Sequence, residues 1–213
     1  MEAERMILAV IQARMSSQRL PGKVLMEING RPMLQWVIEA AQAAKMVDRV
    51  VVATSAEKIS EAINELCENI KIDLCIGSRD DVLDRFYQTA LYCNPSHIVR
   101  LTGDCPAMDP LIIDMTVRHH LEGGYDYTSN RPAYPSGLDV EVFSMDTLVR
   151  AAKLATSREH REHVTLFMQD RALFRVGRLM DYDGPDGKFS VDTQDEFDAC
   201  NEMMKTLNTR GNF

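Results

Sequence analysis

The sequence is short of positive charge and of long apolar runs, and each shortage argues against a class of protein. Its 213 residues carry 24 lysines and arginines against 32 acidic residues, for a formal net charge of −8. Nucleic acids are bound chiefly through positive charge, so a nucleic-acid partner is not expected. No apolar stretch approaches the roughly 20 residues that a membrane helix needs, so no membrane partner is expected either.

The cysteines lack a pattern that would predict disulfides or a metal centre. There are five of them, an odd number without C-x-x-C spacing, which is typical of reduced thiols. The acidic Glu2 and Glu4 precede an apolar run that is too short for a signal peptide. We therefore expect a cytoplasmic protein. Its composition is ordinary, and no linker or repeat divides it, so we expect one α/β domain over residues 1–213.

Acidic residues are also missing from the first apolar run and from the loop that follows it. Residues 6–26 contain no Asp or Glu, although the chain as a whole is acidic. A strand that ends in a positive, hydroxyl-rich loop is suited to hold phosphates, because cations and backbone N–H groups converge there. A solvated surface turn is the alternative. We expect a nucleoside triphosphate to be bound by Arg14, Ser16, Ser17, Arg19 and Lys23.

Two common phosphate-binding motifs are absent from this loop. When the loop is aligned with the Walker A pattern G-x-x-x-x-G-K-[ST], Ser17 replaces the first glycine and Val24 replaces the magnesium-binding hydroxyl. The dinucleotide fingerprint G-x-G-x-x-G also fails, because the loop holds a single glycine. These mismatches argue against a P-loop kinase or ATPase.

Apolar runs alternate with helical segments through the first half of the chain. We predict strands over residues 6–12, 49–54, 72–76 and 97–101, and helices over 32–44, 57–67 and 81–92. This alternation predicts a Rossmann-like three-layer α/β sandwich, with a mostly parallel sheet and helices on both faces. Ligands of such sheets bind beyond the carboxyl ends of the strands.

The alternation breaks after Leu121. We predict a small antiparallel extension from strands over 125–129 and 138–143, joined by residues 130–137. Helices over 146–154, 158–170 and from 193 to about 207, with strands over 174–177 and 189–191, complete the prediction. A homodimer is expected because the irregular segment 125–143 could project and pair with a second copy.

Two aspartates at predicted strand ends are candidate metal ligands. Asp104 follows the strand over 97–101, and Asp192 lies just before the last helix. A carboxylate that faces a triphosphate needs a cation between them, and Mg²⁺ takes one or two carboxylates together with phosphate oxygens. Either residue could instead cap a helix, with Thr193 competing for that role beside Asp192.

Two further groups of residues are candidates for the base and for the second substrate. Gly77, Ser78 and Arg85 could form a pocket for base and ribose, although a helix cap at Ser78 or Asp80 with a surface salt bridge is an equal alternative. Asp139 and Glu141 would share one strand face, because side chains alternate along a strand. Carboxylates on one face suit a polar, hydroxyl-bearing substrate, and a solvated face is the alternative.

The loop resembles the signature of the cytidylyltransferases that activate sugars with CTP, such as the acylneuraminate and CMP-Kdo synthetases. It is most similar to the branch for spore coat polysaccharide biosynthesis, whose members carry Ile-Gln-Ala-Arg-Met-x-Ser-x-Arg-Leu-Pro-Gly-Lys-Val-Leu. The match runs over residues 12–25 and resumes at 101–106, 137–143, 161–165 and 191–193, which is nearly the whole chain. Ser16 departs from the many members that have Gly there, and its side chain could limit how closely phosphate approaches the backbone.

The resemblance implies a Mg²⁺-dependent nucleotidyltransferase that joins CTP to a nonulosonic-acid-like sugar, giving a CMP-sugar and pyrophosphate for surface polysaccharide. It implies that Gln12 and Ala13 join the loop residues in binding the nucleotide. It also implies catalytic roles for Arg14, Lys23 and Asp104, a metal at Asp104 and Asp192, and substrate contacts by Arg161 and His163.

Two other functions stay open on the sequence alone. A glycosyltransferase of similar architecture needs a D-x-D motif at the end of a central strand, which Asp104-Cys105-Pro106 does not supply. The triplet Asp181-Tyr182-Asp183 lies far beyond the central strands and is predicted to be a loop. A non-catalytic nucleotide-binding subunit is the third possibility. Release of pyrophosphate from triphosphate and sugar separates the three.

Overall fold

A seven-stranded sheet is the centre of the computed structural model, which describes residues 5–57 and 61–209. The strands of the protein are β1 (Ile7–Gln12), β2 (Glu27–Ile28), β3 (Arg31–Pro32), β4 (Arg49–Ser55), β5 (Asp73–Gly77), β6 (His97–Thr102), β7 (Tyr127–Ser129), β8 (Glu141–Ser144) and β9 (Val176–Arg178). The large sheet has the order β5-β4-β1-β6-β8-β7-β9, and β2 and β3 form a separate antiparallel pair. In the large sheet only β8 runs antiparallel to its neighbours.

Helices cover both faces of this sheet. They are α1 (Met33–Ala43), α2 (Glu61–Ile70), α3 (Val82–Cys93), α4 (Pro110–Gly123), α5 (Met145–Leu154), α6 (Arg158–Glu162) and α7 (Gln194–Thr209). Alternate residues of β1 point to opposite faces, so Ile7, Ala9 and Ile11 pack with α1, α2 and α4. Leu8 and Val10 pack with α3 and α5 on the other face. Both faces of β1 are therefore buried, which explains its continuous apolar sequence.

A third, smaller core ties α7 to the β2–β3 hairpin. Phe197, Cys200 and Met204 of α7 pack against Ile28 and Met33. Val191, just before α7, is also buried in this cluster. The packing brings the far end of the chain back to the loop that follows β1.

The structure confirms the mostly parallel three-layer sandwich and the antiparallel pairing of β7 with β8. It corrects the position of that pair, however, because β8 hydrogen-bonds to β6 and so lies within the main sheet. The segment does not project, and this removes the reason given for a homodimer. The β2–β3 hairpin and α4 were not predicted. No helix in the described ranges is long and apolar enough to cross a membrane.

Three predicted elements have the wrong extent. Residues 189–191 do not form a strand, because Phe189 and Val191 each donate one backbone hydrogen bond to a different loop. The helix predicted over 158–170 ends at Glu162, since Val164 has a φ of 45° that is incompatible with a continuing helix. The helix predicted over 57–67 excludes Glu57 and runs on to Ile70; its described part is Glu61–Ile70, and residues 58–60 lie outside the described ranges.

Candidate active site

The carboxyl ends of the parallel strands meet at one edge of the sheet. Gln12 at the end of β1 lies in register with Thr102 at the end of β6 and with Ala53 of β4. Ser55 is in turn aligned with Gly77 at the end of β5. The loops that leave these strands are therefore neighbours, which is the arrangement that binds ligands in open α/β sheets.

Lys23 connects the two predicted metal ligands. Its ammonium Nζ donates to Oδ2 of Asp104 at 2.5 Å, to Oδ1 of Asp192 at 2.9 Å and to the carbonyl oxygen of Val191 at 2.7 Å. Lys23 is only 6% exposed. Three residues separated by 81 and 169 positions in sequence thus meet at one buried positive charge.

Neither aspartate is a helix cap. Helix α4 is capped by Asp109, whose Oδ1 accepts from the backbone N–H of Leu111. At the start of α7, Thr193 and Glu196 exchange hydrogen bonds in a capping box, with the Glu196 carboxylate also accepting from the N–H of Asp192. The carboxylates of Asp104 and Asp192 are therefore available for another role.

The two carboxylates form a donor set that suits Mg²⁺ with phosphate oxygens. Burial opposes the charged form of Asp192, but hydrogen bonds from Lys23 and Lys188 and the charge of Arg19 hold its pKa below the ordinary value. No group of three or more His, Cys, Asp or Glu that could hold a metal occurs among the described residues. Two ionised carboxylates without a full protein cage match the habit of Mg²⁺, which completes its shell with phosphates and water.

Among the other polar residues of the loop after β1, Ser16 contacts Glu57. The Ser16 hydroxyl donates to Oε2 of Glu57 at 2.9 Å, and Ser55 donates to the same oxygen at 2.6 Å. The Ser55 hydrogen bond is the main cause of a lowered pKa at Glu57. Arg14 is exposed, and Ser17 is half-buried. Arg19 is 62% exposed and pairs with Asp192 at 2.9 Å.

Gln12 and Ala13 begin this loop. Ala13 is buried, and its backbone N–H donates to the carbonyl oxygen of Ala53. The side-chain oxygen of Gln12 accepts from Nε of Arg100 at 3.1 Å, so its amide nitrogen is the group left to face a ligand. These contacts fix the backbone at the end of β1.

Arg85 is buried beneath the predicted base pocket. It is 2% exposed, and its Nη1 donates to the carbonyl oxygen of Ser78 at 2.8 Å, while its Nε has no hydrogen-bond partner among the described residues. Burial and the nearby charges of Arg14 and Arg100 lower its pKa to about 10. A Cβ added at Gly77 would lie 2.8 Å from Cγ of Arg85, so the glycine permits this close approach.

The capping alternative for this segment holds in a different form. The N-cap of α3 is Asp81, which accepts from the N–H of Asp84, whereas Ser78 accepts from the N–H of Asp81. The alternative placed the cap at Ser78 or Asp80, which lie three residues and one residue before the observed N-cap. Arg85 forms no surface salt bridge, because its guanidinium is buried.

A cavity of about 420 Å³ lies at the end of β6 and is lined by three of the four predicted substrate residues. Asp139, Glu141 and His163 line it, together with Arg100, Thr102, Arg131, Glu159, Thr165, Leu166 and Gln169. An adjoining cavity of about 250 Å³ shares Arg131, Glu141 and Gln169 and adds Arg178. The Arg100–Gln12 hydrogen bond connects this region to the end of β1.

Glu141 and Asp139, the two predicted substrate acids of this cavity, have different environments. Glu141 is 9% exposed and accepts hydrogen bonds from Arg100, Tyr127 and Thr165. Burial alone would raise the pKa of Glu141, but the Arg100 charge and these hydrogen bonds outweigh it, so the pKa is lowered. Asp139 pairs with the half-exposed Arg131 at 3.0 Å. Asp139 is therefore better placed than Glu141 to exchange its partner for a ligand.

Arg161, the fourth predicted substrate residue, forms hydrogen bonds to α5 and to the N-cap of α3. Its guanidinium donates to Oδ2 of Asp81 at 2.6 and 2.8 Å and to the carbonyl oxygen of Ala152 at 2.8 Å. These bonds join the α5–α6 region to the N-cap of α3, and Arg161 does not line the cavity. The contacts account for Arg161 without a substrate, and its predicted substrate contact stays a prediction.

Sequence reasoning missed three polar residues of this region. Arg100 gave a usable signal, since it is a charged residue inside the otherwise apolar strand β6. Thr165 follows the left-handed Val164, which turns the chain toward Glu141. Glu57 gave no local signal, because only the pairing of β4 with β1 brings it to the loop.

Comparisons with known proteins identify the family of this chain. The family model described as Cytidylyltransferase matches residues 8–210. The chain is similar to the spore coat polysaccharide biosynthesis protein SpsF of Bacillus subtilis, with 32% identity over 213 residues, which covers 96% of this chain and 88% of SpsF.

Solved structures share the fold. A cytidylyltransferase from Leptospira borgpetersenii superposes with a TM-score of 0.88 at 24% identity, over 98% of this chain and 96% of that one. The CMP:2-keto-3-deoxy-manno-octonic acid synthetase complexed with CTP gives a TM-score of 0.73 at 20% identity, over 94% and 99% of the two chains. Because the family match spans almost the whole sequence, the chain belongs to the cytidylyltransferase family.

Proposed function

We propose that this protein joins CTP to a sugar, releasing pyrophosphate and giving a CMP-sugar. The observation that carries the proposal is the meeting of Lys23 with Asp104 and Asp192 at the edge of the sheet. This site combines a buried cation for phosphate with two carboxylates suited to a divalent ion. A sugar hydroxyl attacks the α-phosphorus of CTP, and the bond from that phosphorus to the β-phosphate oxygen breaks.

The residues of the loop bind and orient the triphosphate. Arg14 and Arg19 offer forked donors, and Lys23 offers a point charge, to the phosphate oxygens. Ser16, Ser17 and the amide of Gln12 supply further donors. Phosphoryl and nucleotidyl transfer depend mainly on positioning and on stabilising the charge that develops on the phosphates, so these groups account for much of the catalysis.

Asp104 and Asp192 would hold Mg²⁺ at this site. When bound, the ion supplies charge neutralisation on the phosphates and polarises the oxygen that it contacts. Its presence there is part of the proposal, as is the choice of Mg²⁺ over another divalent ion.

The base and ribose occupy the pocket near Gly77, Ser78 and Arg85. Arg85 lies near the charge of Arg14, and its Nε lacks a partner within the part of the chain that the structure describes. The guanidinium of a buried arginine gains from an acceptor at this point, and a pyrimidine O2 or N3 atom is such an acceptor. The preference for cytosine rests on family membership.

The sugar occupies the cavity lined by Asp139, Glu141 and His163. This cavity adjoins the end of β1 through Arg100 and Gln12, so a sugar bound there lies next to the nucleotide loop. The class we propose is a nonulosonic acid or a related sugar. The named activity of the CMP:2-keto-3-deoxy-manno-octonic acid synthetase supports this class, and the name of SpsF supports a role in surface polysaccharide biosynthesis.

Pyrophosphate release tests the proposal. Purified protein with Mg²⁺ is incubated with CTP, UTP, GTP or ATP and a panel of sugar acids, and pyrophosphate is measured in each mixture. Release that requires CTP and one sugar acid together supports the proposal. No release from any triphosphate, with hydrolysis of a nucleotide-sugar instead, would favour a glycosyltransferase.

The remaining parts of the proposal concern the whole protein. All five cysteines are free thiols, which supports a cytoplasmic location for one catalytic domain.

Leu111 and Met115 of α4 are 64% and 40% exposed beside a cavity of about 400 Å³, and this apolar surface supports a homodimer. Light scattering, which gives the molar mass in solution, tests the homodimer. The wild type should be a dimer and Leu111→Glu a monomer, and a monomeric wild type would contradict the proposal.

A further inference from the structure

Lys23 lies at the position between two carboxylates where a divalent ion would bind. All three ammonium protons have an oxygen acceptor within 2.9 Å, and the side chain is only 8% exposed. On the basis of the proposed function, we infer that Lys23 is an internal counterion that keeps a metal ion out of this site until a triphosphate draws its ammonium away.

The ammonium and a metal ion compete for the same atoms. Oδ2 of Asp104 and Oδ1 of Asp192 both accept from Nζ of Lys23. Mg²⁺ binds oxygen at about 2.0–2.1 Å, so an ion on these two oxygens would be in contact with the ammonium. Two like charges this close in a mostly buried place repel strongly. The ion therefore binds only if Lys23 leaves.

A triphosphate provides Lys23 with a new partner. If the ammonium left without one, a buried lysine would lose three acceptors at once, which makes binding of the metal alone unfavourable. Phosphate oxygens replace those acceptors, because Lys23 belongs to the same loop as Arg14 and Arg19. Triphosphate and metal should therefore bind with positive cooperativity, and by linkage each raises the affinity for the other equally.

Lys188 does not share this position, whereas the 62% exposed Arg19 also contacts Oδ1 of Asp192, at 2.9 Å. Lys188 lies 3.3 Å from Oδ2 of Asp192, the oxygen that Lys23 does not use, and its side chain is 42% exposed. Removing the Lys188 charge changes the local field and leaves Lys23 between the carboxylates. Lys188→Met is thus the matched control for Lys23→Met.

Mn²⁺ binding in the absence of nucleotide, followed by electron paramagnetic resonance, tests the inference. Lys23→Met should bind Mn²⁺ at least about tenfold more tightly than wild type, and Lys188→Met within about twofold of it, as coupling of the usual size predicts. Adding Asp104→Asn to Lys23→Met should abolish the gain. Unchanged affinity in Lys23→Met, an equal gain in Lys188→Met, or a gain that survives Asp104→Asn overturns the inference.

A second measurement uses the wild-type protein and so does not depend on the folding of Lys23→Met. In a ¹⁵N NMR spectrum of lysine ammonium groups, the Nζ signal of Lys23 should be protected from exchange. Mg²⁺ alone should leave this signal unchanged, and Mg²⁺ with CTP should shift it. A shift with Mg²⁺ alone overturns the inference, as does an unchanged signal in protein that demonstrably binds CTP. Absence of any CTP binding instead refutes the proposed function.

Discussion

In the proposed reaction, Asp104 acts through its carboxylate charge beside the triphosphate. Asp104→Asn keeps the shape of the side chain and removes that charge, so we expect kcat to fall by about 10²–10³, as for loss of one preorganised electrostatic group. Steady-state pyrophosphate release measures the effect.

Asp109→Asn is the matched control for this change. Asp109 caps α4, and asparagine caps a helix about as well as aspartate, so turnover and stability should be unchanged. Near-normal turnover in Asp104→Asn would remove the metal-ligand role.

Substitutions at Glu141 and Asp139 should have different effects, the first on stability and the second on substrate binding. Glu141→Gln leaves Arg100 without its buried counterion, so we expect the free energy of unfolding in urea to fall by about 3 kcal/mol. Asp139→Asn breaks an ion pair with the half-exposed Arg131, so stability should change by less than about 1 kcal/mol. The KM for the sugar should instead rise in Asp139→Asn. A stable Glu141→Gln variant would contradict the ion-pair argument.

The sequence alone predicts part of the site, because some signals are local and others are not. Arg14 and Asp104 stand directly after apolar strands, and Lys23 lies in the loop after the first of them. Because parallel strands end at one edge of a sheet, the approach of Lys23 to Asp104 could be predicted. The partner of Ser16 could not. Glu57 is brought to Ser16 by strand pairing and by the exact length of the loop, and neither is visible in a local pattern.

At the scale of elements, the first half of the fold is more predictable than the second. Strands β1, β4 and β6 are mostly apolar because helices cover both of their faces, and this leaves a strong sequence pattern. Strands β7 and β9 contain three residues each, too few for alternation to be recognised. Residues 189–191 are apolar at alternate positions, yet they meet two loops and no neighbouring strand.

The segment before α7 holds Asp192 in place, and Gly137 supports that segment. Gly137 has a φ of 98°, and a Cβ there would lie 2.2 Å from the backbone of Phe189 and Ser190. Gly137→Ala should therefore displace the segment, destabilise the protein by about 2 kcal/mol or more and weaken CTP binding. Urea unfolding and calorimetric titration with CTP measure the two effects.

Gly30→Ala controls for backbone strain alone. Gly30 also has a positive φ, of 74°, but nothing lies within 4 Å of its added Cβ. This variant should lose about 1 kcal/mol and keep its CTP affinity. Equal loss of CTP binding in both variants would show that the contact with the Phe189–Ser190 backbone has no special role.

At the scale of the whole molecule, His120 should make stability fall in acid. It is fully buried on α4, where its ring contacts His97 and Thr128. Burial, and then the charges of His97, Arg5 and His119, lower its pKa to about 3. In the unfolded chain the His120 imidazole has a pKa near 6.5. As the pH falls from 6.5 toward 3, the unfolded chain therefore binds a proton at His120 that the folded protein does not bind, and the folded state loses stability.

A variant without this proton site isolates the effect. Between pH 6.5 and 4.5 the wild type should lose about 2 kcal/mol more stability than His120→Gln, because carboxylate titrations are common to both proteins. Urea unfolding at the two pH values gives the difference. Parallel losses in the two proteins would mean that His120 is not held neutral by the fold.

The whole molecule assembles its site from three distant parts of the chain. The loop after β1 supplies Lys23, the end of β6 supplies Asp104, and the segment before α7 supplies Asp192. The sheet fixes the first two, and the third core, with Phe197 and Met204, fixes the last. Any ligand that binds all three parts should stabilise the fold globally.

Thermal unfolding with CTP and Mg²⁺ tests this central claim most directly, in wild type, Asp104→Asn and Asp192→Asn. At 100 times its Kd, CTP should stabilise the wild type by about 2.7 kcal/mol, and Mg²⁺ should increase the Tm shift. Each variant should lose the part that depends on Mg²⁺, and UTP, GTP and ATP should give smaller shifts. Indifference of the wild type to CTP, or equal Mg²⁺-dependent shifts in all three proteins, would contradict the account.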